Sequence, residues 1–296
     1  MAAAQVEISA ASGVAEATPV ARRRRRKIAL LPVLATLLLL AFVLGALCAN
    51  FITPHDAIEG TLLDRLKPPL TSGYFLGTDV QGRDILTRVI YGARVSLSVA
   101  VITVLISASL GSLIGLYSGF HGSWIDGLIM RAVDSVLGFP LIMLALLFSI
   151  SLGPGFATVV LSISLVAWAS YARVVRGEAL TLRQREFITS ARVVGCSNHR
   201  IVFRYLLPNV APTIFVLATM QIGGVILVEA GLSFIGAGIP APTPDWGGMV
   251  SGGRDYISTA WWISLWPGLA IVLVVLAVNT LGDWLREVLD PRLRQI

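Results

Sequence analysis

Long stretches without a charged residue are the feature that most constrains this 296-residue chain. A bilayer core about 30 Å thick is crossed by a helix of about 20 apolar residues. Charge-free runs of at least that length cover residues 28–52, 95–120, 135–172, 205–228 and 256–282. The run 135–172 is too long for one crossing and carries Gly153-Pro154-Gly155 near its middle, which predicts two spans joined by a tight turn. We therefore expect an all-α, polytopic membrane protein with six transmembrane helices.

The composition excludes most water-soluble folds. Only 14% of the residues are charged and 55% are hydrophobic, whereas about 25% of an ordinary soluble domain is charged. Too few polar residues remain to cover a soluble surface of this size. The two cysteines, Cys48 and Cys196, are too few and too far apart to indicate a disulfide framework.

The distribution of Lys and Arg predicts the orientation of the spans, because positively charged loops are retained in the cytoplasm. With the amino terminus inside, the inner segments hold seventeen Lys and Arg and the outer segments hold six. Both termini are therefore expected in the cytoplasm. The basic run 22–27 directly precedes an apolar span, so we interpret it as an anchor that meets anionic lipid headgroups. No nucleic-acid partner is expected.

These features divide the chain into successive segments. They are a cytoplasmic tail with its basic anchor (1–27), a first transmembrane helix (28–52), an extracytoplasmic loop (53–94), a five-helix core (95–284) that includes a cytoplasmic loop (173–208), and a cytoplasmic carboxyl terminus (285–296).

The inner loop is unusual, because seven arginines lie within residues 173–204 and make this segment too polar to enter lipid. Apolar residues at helical spacing predict a helix over 183–194. Gly195 follows as a residue able to adopt a left-handed C-cap, and Ser197 or Asn198 can cap the next helix. The pattern predicts a short amphipathic helix joined rigidly to the next membrane helix and directed at a partner in water.

This loop resembles the cytoplasmic coupling motif of ABC importer permeases. The family pattern is Glu-Ala-Ala, three residues, Gly, nine residues, Ile, any residue, Leu-Pro. This chain matches it at Ala191, Gly195 and Leu207-Pro208, and departs from it at Thr189, Ser190 and Tyr205. The resemblance implies that coupling to an ATPase involves Glu186, Thr189, Ser190, Ala191, Arg192, Gly195, Leu207 and Pro208.

Two more stretches resemble the dipeptide, oligopeptide and nickel branch of that family, specifically its second, C-type permease. Residues 76–84 with 91–94 are similar to its outer segment before the second helix, and residues 231–236 with 242–247 are similar to its link between the fifth and sixth helices. The matches extend from about residue 74 to residue 291. Within them we expect contacts to a binding protein at Asp79, Arg83, Asp84, Asp245 and Trp246. The outer tryptophans are more typical of a membrane interface than of peptide stacking.

The resemblance implies the type I ABC importer permease fold and a set of partners. These are a homologous second permease, two cytoplasmic ATP-binding subunits or domains that use ATP and Mg, and an extracytoplasmic peptide-binding lipoprotein, all at a bacterial plasma (inner) membrane. The chain itself is expected to bind no cofactor. Its two lysines, Lys27 and Lys67, do not follow glycine, so it carries no Gly-x-x-x-x-Gly-Lys-[Ser/Thr] phosphate-binding loop.

No catalytic or metal-binding constellation emerges, so no residue is assigned to catalysis or to a metal. Glu229 lies within an apolar stretch, and we interpret it either as a structural hydrogen-bonding group or as a residue of the translocation path. Asp126, Arg131 and Asp134 are interpreted as an interhelical network. The function predicted is ATP-driven import of di- or oligopeptides; import of nickel or another small solute, an ion-coupled carrier that uses Glu229, and a membrane-bound enzyme remain alternatives.

Overall fold

The structure is a computed structural model that describes residues 30–71 and 73–289. The predictions for the tail 1–27, for residues 28–29 of the first span and for residues 290–296 lie outside this range. The described residues are helical, with no β-strand longer than an isolated bridge. The expected all-α class is therefore confirmed.

Eleven α-helices follow one another in these ranges. They are α1 (Leu30–Leu47), α2 (Ala49–Ile52), α3 (Ile85–His121), α4 (Trp124–Leu137), α5 (Leu141–Leu152), α6 (Phe156–Leu182), α7 (Glu186–Val193), α8 (Asn198–Ile201), α9 (Leu207–Ile235), α10 (Trp246–Gly253) and α11 (Trp262–Leu289). A π-helical turn, Val202–Leu206, joins α8 to α9. Within the described residues, five helical stretches are long and apolar enough to cross a bilayer, or six when the bent pair α4–α5 is counted as one span.

The second long helix begins ten residues before the charge-free run that predicted it. Asp84 caps α3, since its carboxylate accepts a hydrogen bond from the Thr87 backbone N–H at 2.9 Å. The helix thus includes Arg88 and Arg94, which donate to the carbonyl oxygens of Ala57 (2.6 Å) and Ala46 (3.0 Å). The predicted boundary at residue 95 is corrected, because backbone groups distant in sequence satisfy these charges.

The expected third span, the first half of the run 135–172, is instead two helices. Helices α4 and α5 meet at an angle of 91°. Pro140, the N-cap of α5, causes the break, because a residue before proline is disfavoured in helical conformation. At 12 residues, α5 alone is about 18 Å long and shorter than a bilayer core. The predicted turn between α5 and α6 is confirmed, with Gly153 at φ +84°.

Two other helices are also longer than the sequence predicted. Helix α6 continues to Leu182, ten residues beyond the charge-free run, so the loop expected to begin at residue 173 begins at residue 183. Helix α11 continues to Leu289, beyond the expected end of the core at residue 284. In both cases the last turns of a membrane helix carry charged residues, which hydropathy alone assigns to loops.

The closest packing in the bundle joins α3 to α6. Gly111, Gly115 and Gly119 recur every fourth residue on one face of α3, so the backbone of α6 approaches closely. A Cβ on Gly115 would lie 2.6 Å from the Ala172 carbonyl oxygen, and one on Gly119 would lie 2.8 Å from that of Arg176. The small residues are therefore required by the contact.

Gly115→Ala is expected to lower stability by about 1–3 kcal/mol, the usual cost of overpacking a well-packed contact. Gly177→Ala in α6 is the matched control, because, apart from the neighbouring backbone of α6 itself, no described atom lies within 4 Å of a Cβ built there. The measurement is the thermal unfolding midpoint of the purified protein in detergent. Equal midpoints for the two variants would contradict the close helix contact.

Helix α3 connects two regions at opposite ends of the bundle. It has 37 residues and is therefore about 55 Å long. Near Ile85 it meets the platform, which we define as residues 53–71, 73–84 and 236–261. Near His121 it meets the elbow, defined as residues 183–208, which joins α6 to α9.

Candidate functional site: the elbow and the platform

The elbow is a short helix seated on the ends of α3 and α6. Helix α7 buries Ile188 and Ala191, α8 buries Ile201, and the π-helical turn after α8 buries Leu206. They form one apolar cluster with residues of α3, α6 and α9, namely Leu116, Phe120, Val175, Ala179 and Val210. The predicted amphipathic helix rigidly joined to a membrane helix is therefore confirmed, with its start at Glu186 instead of residue 183.

A Schellman motif ends α7. Gly195 has φ +83°, and its N–H donates to the Arg192 carbonyl at 3.0 Å, while the Cys196 N–H donates to the Ala191 carbonyl at 3.0 Å. Cys196 packs against the apolar cluster, and Ser197 caps α8 through the Arg200 N–H. The predicted left-handed glycine cap is confirmed, and it fixes the angle at which the elbow turns into α9.

The eight predicted coupling residues divide into a surface set and a buried set. Six of them are exposed: Glu186, Thr189, Ser190, Arg192, Gly195 and Pro208. Ala191 is only 8% exposed and Leu207 is half-buried. These two residues pack the elbow against the bundle, whereas the six exposed residues are accessible to a partner, and the coupling role of all eight stays a prediction.

Sequence reasoning missed two residues of this surface. Val193 and Val194 are each 82% exposed at the end of α7, although both are apolar. Their neighbour Arg192 is held over the Phe120 ring at 5.2 Å. Two adjacent β-branched residues directly before a glycine in a basic segment were the available signal. An exposed apolar tip of this kind is typical of a surface that meets another protein.

Ion pairs hold α4 and α6 together beside the elbow. Arg176 donates from Nε and Nη2 to the two carboxylate oxygens of Asp126, each at 2.6 Å, and Ser118 also donates to Asp126. Asp134 pairs with Arg173 in a much more exposed position. The expected interhelical network is thus confirmed for Asp126 and Asp134, while Arg131 is exposed.

Asp126→Ala is expected to lower stability by about 1.5–3 kcal/mol, the range for hydrogen bonds to a charged group. The matched change Asp134→Ala removes a pair whose side chains are 52% and 66% exposed, and exposed pairs contribute about 0.2–1 kcal/mol. Thermal unfolding of both purified variants measures the difference. A larger loss for Asp134→Ala would refute the assignment of Asp126 as the structural partner.

The platform is built around buried carboxylates. Asp79 accepts hydrogen bonds from the backbone N–H groups of Gln81 (2.8 Å) and Arg83 (3.0 Å) and from Arg83 Nε (2.7 Å). Arg88 Nε lies 3.7 Å from the same carboxylate. Asp245 caps α10, accepting from the Gly248 N–H at 2.8 Å, and its burial raises the pKa of its carboxyl group.

The expectation of direct contact with a binding protein at Asp79, Arg83, Asp84, Asp245 and Trp246 is therefore corrected. All five are between 0% and 9% exposed and each makes an internal hydrogen bond, although Asp84 Oδ1 is buried without a hydrogen-bond partner in the described part of the chain. Trp246 donates from its indole N–H to the Val89 carbonyl at 2.9 Å and meets Phe42 edge-on. These residues hold the platform together. The exposed large apolar residues of the platform are Ile58, Leu62, Leu63, Leu70, Phe75, Ile257 and Trp261.

Glu229 is also in the interior, where α9 meets α3 and α10. It is 0% exposed, and its Oε1 accepts from Ser233 Oγ at 3.2 Å. Of the two interpretations left open by the sequence, this position supports the structural one, because a fully buried side chain does not line an open path through the chain.

Comparisons with known proteins agree with the resemblance. The family described as binding-protein-dependent transport system inner membrane component matches residues 111–295. A dipeptide transport system permease protein of Alkalihalophilus pseudofirmus is 40% identical over 264 residues, which is 89% of this chain and 86% of the relative. A putative peptide transport system permease protein of Brucella suis is 42% identical over 273 residues, covering 92% and 90%. A glutathione transport system permease protein of Pectobacterium atrosepticum is 39% identical over 262 residues, covering 88% and 87%.

Proposed function

We propose a function from one premise: this chain belongs to the family of binding-protein-dependent transport system inner membrane components. It is a multi-pass membrane permease of that family. Within it, we assign the chain to ATP-driven import of short peptides, as a subunit that forms the translocation path with a second permease. The relatives with peptide and glutathione names, which match most of the chain, carry this assignment.

The elbow is the proposed contact for the ATPase subunits, which would hold ATP and Mg. Its tip presents the exposed apolar pair Val193 and Val194 beside Arg192, and its seat lies on α3 and α6. Movement of the tip would therefore reach the bundle through packed side chains. The ATPases must bind the elbow differently in the two states of the transporter, since equal affinity for both would shift nothing.

The platform is the proposed extracytoplasmic face, and both termini are assigned to the cytoplasm. The excess of Lys and Arg at the elbow end supports this orientation. Single cysteines at Val194 and Leu63, in a chain whose Cys48 and Cys196 are replaced by serine, test it in intact cells. A membrane-impermeant maleimide should label Leu63→Cys and spare Val194→Cys. The opposite pattern would overturn the orientation.

Reconstitution tests the transport assignment. The chain is combined with its second permease, two ATPase subunits and the peptide-binding lipoprotein, and uptake of labelled di- and tripeptides is compared with uptake of nickel. ATP-dependent peptide uptake that is lost when any component is omitted supports the proposal. Nickel uptake alone would favour the metal alternative, and uptake that follows a proton gradient without ATPases would favour an ion-coupled carrier.

A further inference from the structure

Glu229 is a buried acid without a basic partner among the described residues. Ser233 donates to its Oε1 at 3.2 Å and the Ser96 hydroxyl also lies close to the carboxyl group, but both hydroxyls are neutral, and Oε2 is buried with no hydrogen bond in the described part of the chain. An ionised carboxylate in such a place would be desolvated without an opposite charge to compensate, which is strongly unfavourable. The surroundings therefore favour the neutral form of this side chain.

A second carboxylate lies next to it. Asp245 is 2% exposed, interacts with Glu229, and lies at the start of α10, where a Cβ on Gly247 would lie 2.9 Å from the Cβ of Ser233, one turn after Glu229. Two neighbouring buried carboxylates do not both ionise readily, and a proton on one of them lets that group donate a hydrogen bond to the other. Asp245 accepts the Gly248 N–H at the start of α10, as an ionised cap does, so Glu229 is the better place for the proton.

The charges around the pair point to the same assignment. From α3, Arg88 faces Asp245, but this guanidinium also serves Asp79 and the Ala57 carbonyl. Arg83 donates to the Asp79 carboxylate. Among the described residues, Arg88 is thus the cation that interacts with the two carboxyl groups, and it interacts with Asp245 and not with Glu229.

We propose that Glu229 is held as a neutral carboxylic acid whose O–H donates to the Asp245 carboxylate and fixes the start of α10 against α9 and α3. Glu229 is then a positioning residue of the platform, with no role in carrying protons across the membrane. The start of α10 packs so closely against α9 and α3 that its position must be fixed. A Cβ on Gly247 would lie 2.5 Å from the Ala230 Cα, and the Trp246 N–H donates to Ser96 Oγ at 3.4 Å.

Infrared spectroscopy of the assembled complex in lipid nanodiscs tests the protonation state directly. At about pH 7, where an ordinary glutamate is ionised, the wild type should show the carbonyl band of a protonated carboxyl group, and Glu229→Gln should lose it. Glu59→Gln, a change at an exposed glutamate, is the matched control and should keep the band. Retention of the whole band in Glu229→Gln would overturn the proposal.

Hydrogen exchange of residues 246–253 in the same complex tests the positioning role. Glutamine can donate to Asp245 as the acid does, so Glu229→Gln should exchange as the wild type does, whereas Glu229→Ala should exchange at least about fivefold faster, because α10 opens more often. Fast exchange in Glu229→Gln, or wild-type exchange in Glu229→Ala, would each overturn the role. If the alanine variant fails to assemble, hydrogen exchange and the infrared band of Glu229→Gln still test the proposal.

Uptake separates positioning from proton coupling, and this readout alone rests on the proposed transport function. Glu229→Gln should keep ATP-driven peptide uptake within about twofold of the wild type, because it keeps a neutral donor. A proton-carrying residue would lose uptake on the same change, which would overturn the proposal. If the wild type takes up no peptide, the proposed function fails, while the infrared and exchange results remain readable.

Discussion

Gly195→Pro is expected to reduce peptide uptake at least about tenfold while leaving the chain in the membrane at its normal level; a tenfold change corresponds to about 1.4 kcal/mol in a rate-limiting step. Gly195 has φ +83°, whereas proline is restricted to φ near about −65°. Proline also lacks the N–H that bonds to the Arg192 carbonyl. The Schellman motif therefore breaks, and α7 loses its fixed angle to α9.

A graded series separates backbone conformation from crowding at this position. Apart from the adjoining residues 194 and 196, no described residue has an atom within 4 Å of a Cβ built on Gly195, so added side-chain volume meets open space. Asparagine tolerates the left-handed region, so Gly195→Asn should stay near the wild type. Alanine should be intermediate, since that conformation costs about 1–2 kcal/mol for an ordinary residue.

Three measurements read this series: the amount of chain in the membrane, ATP-driven uptake, and ATP hydrolysis by the complex. In Gly195→Pro we expect hydrolysis that no longer responds to the peptide-loaded binding protein, because the elbow no longer transmits the change. Wild-type uptake by this variant would count against the elbow as the coupling element. A reduced amount of the variant chain in the membrane would instead indicate that the substitution impairs folding or insertion.

The elbow was predictable from sequence because its signals are local. The helix, its glycine cap and the serine that begins α8 all lie within residues 186–198, and each depends on neighbours a few positions away. The exposure of Val193 and Val194 was less accessible. It depends on which face of α7 meets Phe120 and Leu116, which are about 70 residues earlier in the chain.

The platform was predicted less well because its charges are neutralised over long distances in sequence. Arg88 meets the Ala57 carbonyl 31 residues away, and Trp246 meets the Val89 carbonyl 157 residues away. A search for charge-free spans places an arginine such as Arg88 outside the helix. A polar motif without apolar neighbours is likewise interpreted as exposed, although here its residues are buried. Pro140 was a local signal for the bend between α4 and α5, but a charge-free run conceals it.

Arg88→Met is expected to have the largest effect on the platform, lowering stability by about 3–5 kcal/mol, as removal of one partner of a buried ion pair does. The side chains of Arg88 and Asp79 are each 8% exposed. Methionine fills a similar volume, so the loss of stability measures the contribution of the positive charge and of the hydrogen bond to the Ala57 carbonyl. The thermal unfolding midpoint of the purified protein and the rate of peptide uptake by the reconstituted complex should both decrease.

Two further variants give this prediction its controls. Arg254→Met removes an arginine of the same platform whose side chain is 68% exposed beside Asp255, and it should change stability by less than about 1 kcal/mol. Arg88→Lys should be intermediate, because an ammonium group keeps the charge but does not reach two acceptors with the planar geometry of a guanidinium. Equal losses for Arg88→Met and Arg254→Met would contradict a buried charge cluster.

A double-mutant cycle then distinguishes a charge effect from lost packing. Adding Asp79→Asn to Arg88→Met removes the carboxylate that would otherwise stay buried without its guanidinium, while the amide oxygen of the introduced asparagine can still accept one of the backbone N–H groups that Asp79 accepts. Residues in one network show coupling of about 0.5–3 kcal/mol, so the double variant should be more stable than the two single losses added together. Strict additivity would mean that Arg88 stabilises the platform through its bond to Ala57 and its packing, and that Asp79 is compensated by Arg83 alone.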